Sequence, residues 1–170
     1  LWIGFLLLSV VMHWIAIPFN ESLSRAVSRL QGQSLESAGQ ALTISESIHE
    51  AGSRALYTLK WLVLIGLLAL ILAWIPAVNL LAPWLMFALS GWLLALEYFD
   101  YPLALQGWRF PQQRQNLAGQ RFAAIGYGGT IAFFLAIPVM NLLVIPAAVI
   151  GATLYALDHL DLSEEGHAPD

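Results

Sequence analysis

Four stretches of this chain carry no charge at all: residues 61–74, 80–96, 122–137 and 142–157. Nearly unbroken apolar runs of this length cannot all be hidden in a water-soluble core, so lipid must be the second solvent. Composition agrees. The chain is 59% hydrophobic and 11% charged, against about 45–50% and about 25% in soluble domains. There is no cysteine, which excludes a disulfide framework and any thiolate metal site. A formal charge of −4 gives no footing for nucleic-acid binding. The fold class these features predict is an all-α membrane protein, with transmembrane helices plus re-entrant (hemi-penetrating) helical hairpins, in a single membrane domain over 1–170.

Residues 1–17 read as the end of a transmembrane helix. They open inside an apolar run, without Met or a basic n-region, as the tail of a longer protein would. Pro18-Phe19-Asn20 predicts a break, with Asn20 capping a new helix that has Leu23, Val27 and Leu30 on one face and stops at Gly32. Residues 31–39 are small and polar, as in a loop. Thr43-Ile44-Ser45-Glu46 fits a capping box for a helix reaching Ile75. That helix is amphipathic at first and apolar all round from Trp61, the pattern of a helix passing from water into lipid. The expected organisation is amphipathic cytoplasmic helices over 20–60, a first helical hairpin over 61–96, a cytoplasmic loop over 97–121, a second hairpin over 122–157 and an acidic, fraying tail over 158–170.

A repeat supports the two hairpins. Ile75-Pro76-Ala77-Val78-Asn79-Leu80-Leu81 recurs as Ile137-Pro138-Val139-Met140-Asn141-Leu142-Leu143. Pro76 and Pro138 stop the incoming arms, while Asn79 and Asn141 are placed to cap the outgoing ones. The arms are mostly shorter than the roughly 20 residues of a comfortable span, and the tips lack charge. All seven Lys and Arg lie between the apolar segments, which places those connections in the cytoplasm by the positive-inside bias. Re-entrant hairpins and full spans with their tips across the membrane differ only in depth.

The densest group of polar residues is Glu97-Tyr98-Phe99-Asp100-Tyr101-Pro102, followed by Arg109, Arg114 and Arg121. One reading is an anion path lined by Arg109, Arg114, Arg121, Glu97, Asp100 and Tyr98. The fixed donor fork of arginine suits oxyanions, and the carboxylates would hold the arginines in place. The other is a set of snorkelling interfacial cations with a structural ion pair and an aromatic belt. Asn79 and Asn141 leave helix N-termini near the hairpin tips, as in the broken helices of transporters, or they act as caps alone. The four histidines do not cluster, so no metal site is expected. No nucleophile elbow or phosphate-binding glycine loop is present. Gly126-Tyr127-Gly128-Gly129 and Gly151-Ala152-Thr153 lie inside apolar arms, where they permit close helix packing. Neither an enzyme nor an ATP-driven motor is expected.

At Pro18-Phe19-Asn20, Ile75-Pro76, Glu97-Tyr98-Phe99-Asp100-Tyr101-Pro102, Ile137-Pro138-Val139-Met140-Asn141-Leu142 and Pro146-Ala147-Ala148-Val149-Ile150-Gly151-Ala152-Thr153 the chain resembles the CysZ sulfate permease family, the EI24-like integral membrane proteins. The resemblance implies a multi-pass protein of the bacterial inner membrane that admits sulfate for cysteine biosynthesis. It also implies homo-oligomers and no cofactor. A non-conducting membrane scaffold or assembly protein of the same family is the alternative. The family's Gly-x-Arg sulfate-binding loop is expected upstream of Leu1. Leu103-Ala104-Leu105-Gln106 stands where members carry an Asp-Asn-His-like stretch.

Overall fold

The computed structural model describes residues 2–32, 44–74, 80–137 and 139–160, and among these it contains six helices and no strands. They are α1 (Trp2–Leu30), α2 (Ile44–Ala73), α3 (Ala82–Leu105), α4 (Phe110–Gly119), α5 (Arg121–Leu135) and α6 (Asn141–His159). The chain is an all-α membrane protein. Segments in α2, α3 and α6 are long and apolar enough to cross a bilayer, whereas the 15 residues of α5 reach only about 22 Å. Pro76, Asn79, Pro138, the Thr43 cap, the connection over 33–43 and the tail beyond Leu160 lie outside the described residues.

Helix α1 runs through Pro18 without the predicted break. Proline there removes one backbone donor, and Ser22 Oγ donates to the Pro18 carbonyl at 2.7 Å. Asn20 is therefore no cap. It is buried inside the helix and donates through Nδ2 to the Tyr101 hydroxyl at 3.0 Å. One turn on, Ser24 Oγ lies 2.8 Å from Thr153 Oγ1. Thr153 spends its own proton on the Val149 carbonyl, so Ser24 is the donor. These two contacts, four residues apart, fix α1 against α3 and α6. The end of α1 follows expectation, with Gly32 at φ 73° and its N–H on the Arg29 carbonyl.

The bundle is organised by the α3–α5 pair, the most extensive helix contact, against which α6 and then α1 pack. Its crossing is built on glycine. A Cβ on Gly128 would stand 1.8 Å from the Gly91 carbonyl oxygen, and one on Gly91 would stand 2.7 Å from the Ile125 oxygen. The two backbones touch there. Gly129 leaves room for the Phe87 ring, while Gly126 faces open space. Below the crossing, Phe99 meets Tyr127 and Tyr155 edge-on at 5.2 and 5.5 Å, and the Tyr127 hydroxyl donates to the Ala148 carbonyl. Gly151 meets that same tyrosine ring.

Other boundaries differ from the sequence reading. Residues 97–105, expected in a loop, continue α3 through a buried Pro102. That helix closes at Gly107, φ 78°, with Gly107 N–H on the Ala104 carbonyl and Trp108 N–H on the Leu103 carbonyl. This is a Schellman ending. The rest of the expected loop contains α4. Asn141 is the first residue of α6, exposed, and the preceding Met140 holds the cap position with no side-chain bond. Asp158 and His159 belong to α6 rather than to a fraying tail, and Leu160 is buried.

Replacing Thr153 with valine tests one of these fastenings. The expected destabilisation is about 0.6 kcal/mol, the average for a hydrogen bond between membrane helices, read as a small fall in thermal midpoint in detergent.

Candidate functional site

The C-terminal end of α3, the N-terminal half of α2, the connecting helix α4, the start of α5, the end of α6 and the Asn20 turn of α1 all gather at one end of the bundle. Asn20–Tyr101, Arg54–Asp100, Arg109–Glu46 and Gln120–His159 contacts tie them together. Arg54, Arg109, Arg114 and Arg121 all belong to these segments.

Asp100 is the centre of the cluster. Its Oδ1 accepts from Arg54 Nη2 and from Gln113 Nε2 at 2.9 Å. Gln113, 2% exposed, also donates to the Trp108 carbonyl and accepts from Arg54 at 3.2 Å. One arginine, one carboxylate and one carboxamide thus satisfy each other across α2, α3 and α4. The Arg54 guanidinium further lies 4.8 Å over the Phe110 ring. Sequence reasoning assigned Asp100 to Arg109, Arg114 or Arg121. The structure gives it Arg54 instead, because α3 stays helical through this region and turns Asp100 towards α2.

The N-terminus of α4 is already filled by carboxylates. Glu50 Oε1 accepts from the Phe110 N–H at 2.6 Å, and Glu46 Oε1 from Arg109 Nη2 at 2.9 Å. Both glutamates come from α2, one turn apart, where the positive helix end favours them. Gln112 Oε1 accepts the Arg109 N–H at 2.8 Å and completes the cap.

The remaining predicted residues separate into groups. Tyr98 is buried in the helix core, not displayed in an interfacial belt. Glu97 is exposed on α3. Arg114 is exposed, with its guanidinium 5.0 Å over the Tyr57 ring, and Tyr57 is itself fixed by the Trp92 indole N–H at 2.9 Å. Arg121 is exposed at the start of α5, beside Gln120, whose side chain engages Tyr155 and the His159 carbonyl. Among the described residues no carboxylate pairs with Arg114 or Arg121. The arrangement offers a buried, charge-balanced Arg54–Asp100–Gln113 core and two outer guanidinium groups with donors to spare.

Arg54, Gln113, Glu46 and Glu50 are the members that sequence reasoning missed. Glu46, Glu50 and Arg54 recur at four-residue spacing on α2, a polar stripe on a helix about to enter lipid, and that stripe was the available signal.

The family model described as sulfate transporter CysZ/etoposide-induced protein 2.4 matches residues 1–146. Among curated proteins, the chain is 35% identical to the sulfate transporter CysZ of Salmonella typhimurium over 152 residues, covering 88% of this chain and 60% of that protein. It is 32% identical to the sulfate transporter CysZ of Pectobacterium atrosepticum over 154 residues, covering 89% and 56%. The chain therefore spans somewhat under two thirds of the length of these relatives.

Proposed function

The chain belongs to the sulfate transporter CysZ/etoposide-induced protein 2.4 family, and on that premise we propose that it is part of a sulfate permease of the bacterial inner membrane, supplying cysteine biosynthesis. The observation that carries this reading is the match along most of the chain to relatives named as sulfate transporters. The polar end of the bundle faces the cytoplasm, as the position of all seven Lys and Arg between the apolar segments of the sequence favours. Sulfate is attracted there by Arg114 and Arg121, with Arg109 beside them at the rim. Asp100, through Arg54 and Gln113, holds α4 and its arginines in position, and Glu97 and Tyr98 lie on the adjoining helix. Guanidinium forks suit a tetrahedral oxyanion because they give paired, charge-assisted donors. The hairpins remain re-entrant in this proposal, with Pro76, Asn79, Pro138 and Asn141 at tips below the far surface, and the protein works as a homo-oligomer.

The test is sulfate flux into liposomes holding the full-length protein, with Arg114→Gln and Arg121→Gln combined. Flux is expected to fall about tenfold or more, the loss of two charge-assisted contacts, while the elution profile stays that of the wild type. Flux no greater than in empty liposomes for the wild type, beside a conducting control, sinks the permease reading. Undiminished flux in the double variant removes those arginines from the route.

A further inference from the structure

Helix α2 changes character between Lys60 and Trp61. Before that point its polar side chains engage α3 and α4. After it, Leu62, Val63, Leu64, Leu67, Leu68, Leu70 and Ile71 are all exposed, as the surface of a helix in contact with acyl chains would be. The switch sets the level of the lipid headgroups on this helix. Two cations stand at that level. Lys60 is exposed on α2, one turn beyond Tyr57, and Arg114 reaches from α4 over the Tyr57 ring. Trp61 flanks them, edge-on to Tyr57 at 6.3 Å. The acids nearby are committed elsewhere: Glu46 to Arg109, Glu50 to the Phe110 N–H, and Asp100 to Arg54 and Gln113. Among the described residues no carboxylate pairs with Lys60.

We infer that Lys60 and Arg114, cushioned by Tyr57 and Trp61, form a binding site for the phosphodiester of an anionic phospholipid. The charge calls for an anion, and the helix below calls for its tail. Lys60, Leu64, Leu67 and Ile71 are spaced i, i+4, i+7 and i+11, so they form one continuous strip of α2. Leu64, Leu67 and Ile71 are 50, 55 and 63% exposed. A headgroup phosphate on the cations lays its acyl chain along that strip, which a free phosphate or sulfate does not need. The aromatic pair gives the site its depth, since Trp and Tyr prefer this level of the membrane. Arg114 is shared with the proposed sulfate route but Lys60 is not, so the experiment turns on Lys60, and lipid retention and sulfate flux fail independently.

Full-length protein is extracted from vesicles of equal phosphatidylglycerol and phosphatidylcholine, and the lipid it retains is measured by native mass spectrometry. Wild-type protein is expected to retain phosphatidylglycerol preferentially. Lys60→Gln lowers that preference about fivefold, the effect of one basic residue at an anionic surface, and Lys60→Arg restores it. Arg25→Gln removes a cation that already pairs with Glu21 at 3.8 Å on α1, and leaves the preference unchanged. Lys60 is exposed, so a matching elution profile separates lost binding from lost folding. The site is refuted by a wild type without preference, by a preference that survives Lys60→Gln, by an equal loss in Arg25→Gln, or by displacement of the lipid with excess inorganic phosphate.

Discussion

Gly128→Leu yields protein that does not accumulate as a monodisperse species, because the substitution pushes a branched side chain into the backbone of α3. Even the first carbon of that side chain would lie 1.8 Å from the Gly91 oxygen, 2.7 Å from the Gly91 carbonyl carbon and 2.9 Å from the Ala95 nitrogen. No rotamer relieves a clash with main chain. The helices must separate, and separation uncovers Ala95, Ala124 and Ile131, each 5% exposed or less. The expected loss is at least ~3 kcal/mol, the upper end of what overpacking costs in a core, and Gly128→Ala should already cost a large part of it. Two other glycines supply the control. A Cβ at Gly66 or Gly126 meets nothing within 4 Å, so Gly66→Ala and Gly126→Ala should leave expression unchanged and gain a few tenths of a kcal/mol from reduced chain entropy. Fluorescence-detected size exclusion and thermal midpoints in detergent read all four. A sharp peak and an unshifted midpoint for Gly128→Leu would mean that α3 and α5 do not cross as described.

Asp100→Ala is the second large effect. It removes one oxygen that serves two donors. Arg54 loses its carboxylate, and the Nε2 of Gln113, a residue 2% exposed, loses one of its two acceptors. The guanidinium and carboxylate side chains keep 27 and 32% exposure, so water recovers part of the loss and the cost is about 2–3 kcal/mol. Arg54→Ala is milder, because Gln113 still donates to Asp100. Asp100→Asn, which retains an acceptor and gives up the charge, falls between wild type and alanine. A double-mutant cycle over Arg54→Ala and Asp100→Ala should return a coupling of about 1–2 kcal/mol. A coupling near zero would show the pair to be independent and the link between α2 and α3 to lie elsewhere.

Much of the helical plan could be read from hydropathy and proline. The amphipathic-to-apolar change along α2, the glycine packing in α5 and the Gly32 stop all depend on local rules that the structure obeys. The misreadings share a cause. Pro18 was taken to end a helix and the polar residues from Glu97 onward to begin a loop, yet Pro18 and Pro102 each cost a continuing helix one hydrogen bond. Contacts from remote sequence outweigh that loss: Asn20 to Tyr101 and Ser24 to Thr153 on α1, and the buried packing of Leu103 and Leu105 beside Pro102. The pairing of Asp100 went wrong for the same reason. Once the last turns of α3 were taken for loop, arginines downstream seemed to be its neighbours. A continuous helix instead aims Asp100 at α2, where Arg54 lies 46 positions earlier in the sequence. Local signals carried the elements, and the ion pair depended on which faces of three helices meet.

The glycine crossing also settles how the molecule is able to flex. Where two helices touch main chain to main chain, no side chain can swing aside to let one slip past the other. The α3–α5 pair therefore behaves as a single strut. Helix α2 is the opposite case, gripped by polar contacts near Arg54 and bare along its greasy length. Among the described residues its apolar arm is not buried against the strut, so the two are joined through the contacts around Arg54 and Tyr57.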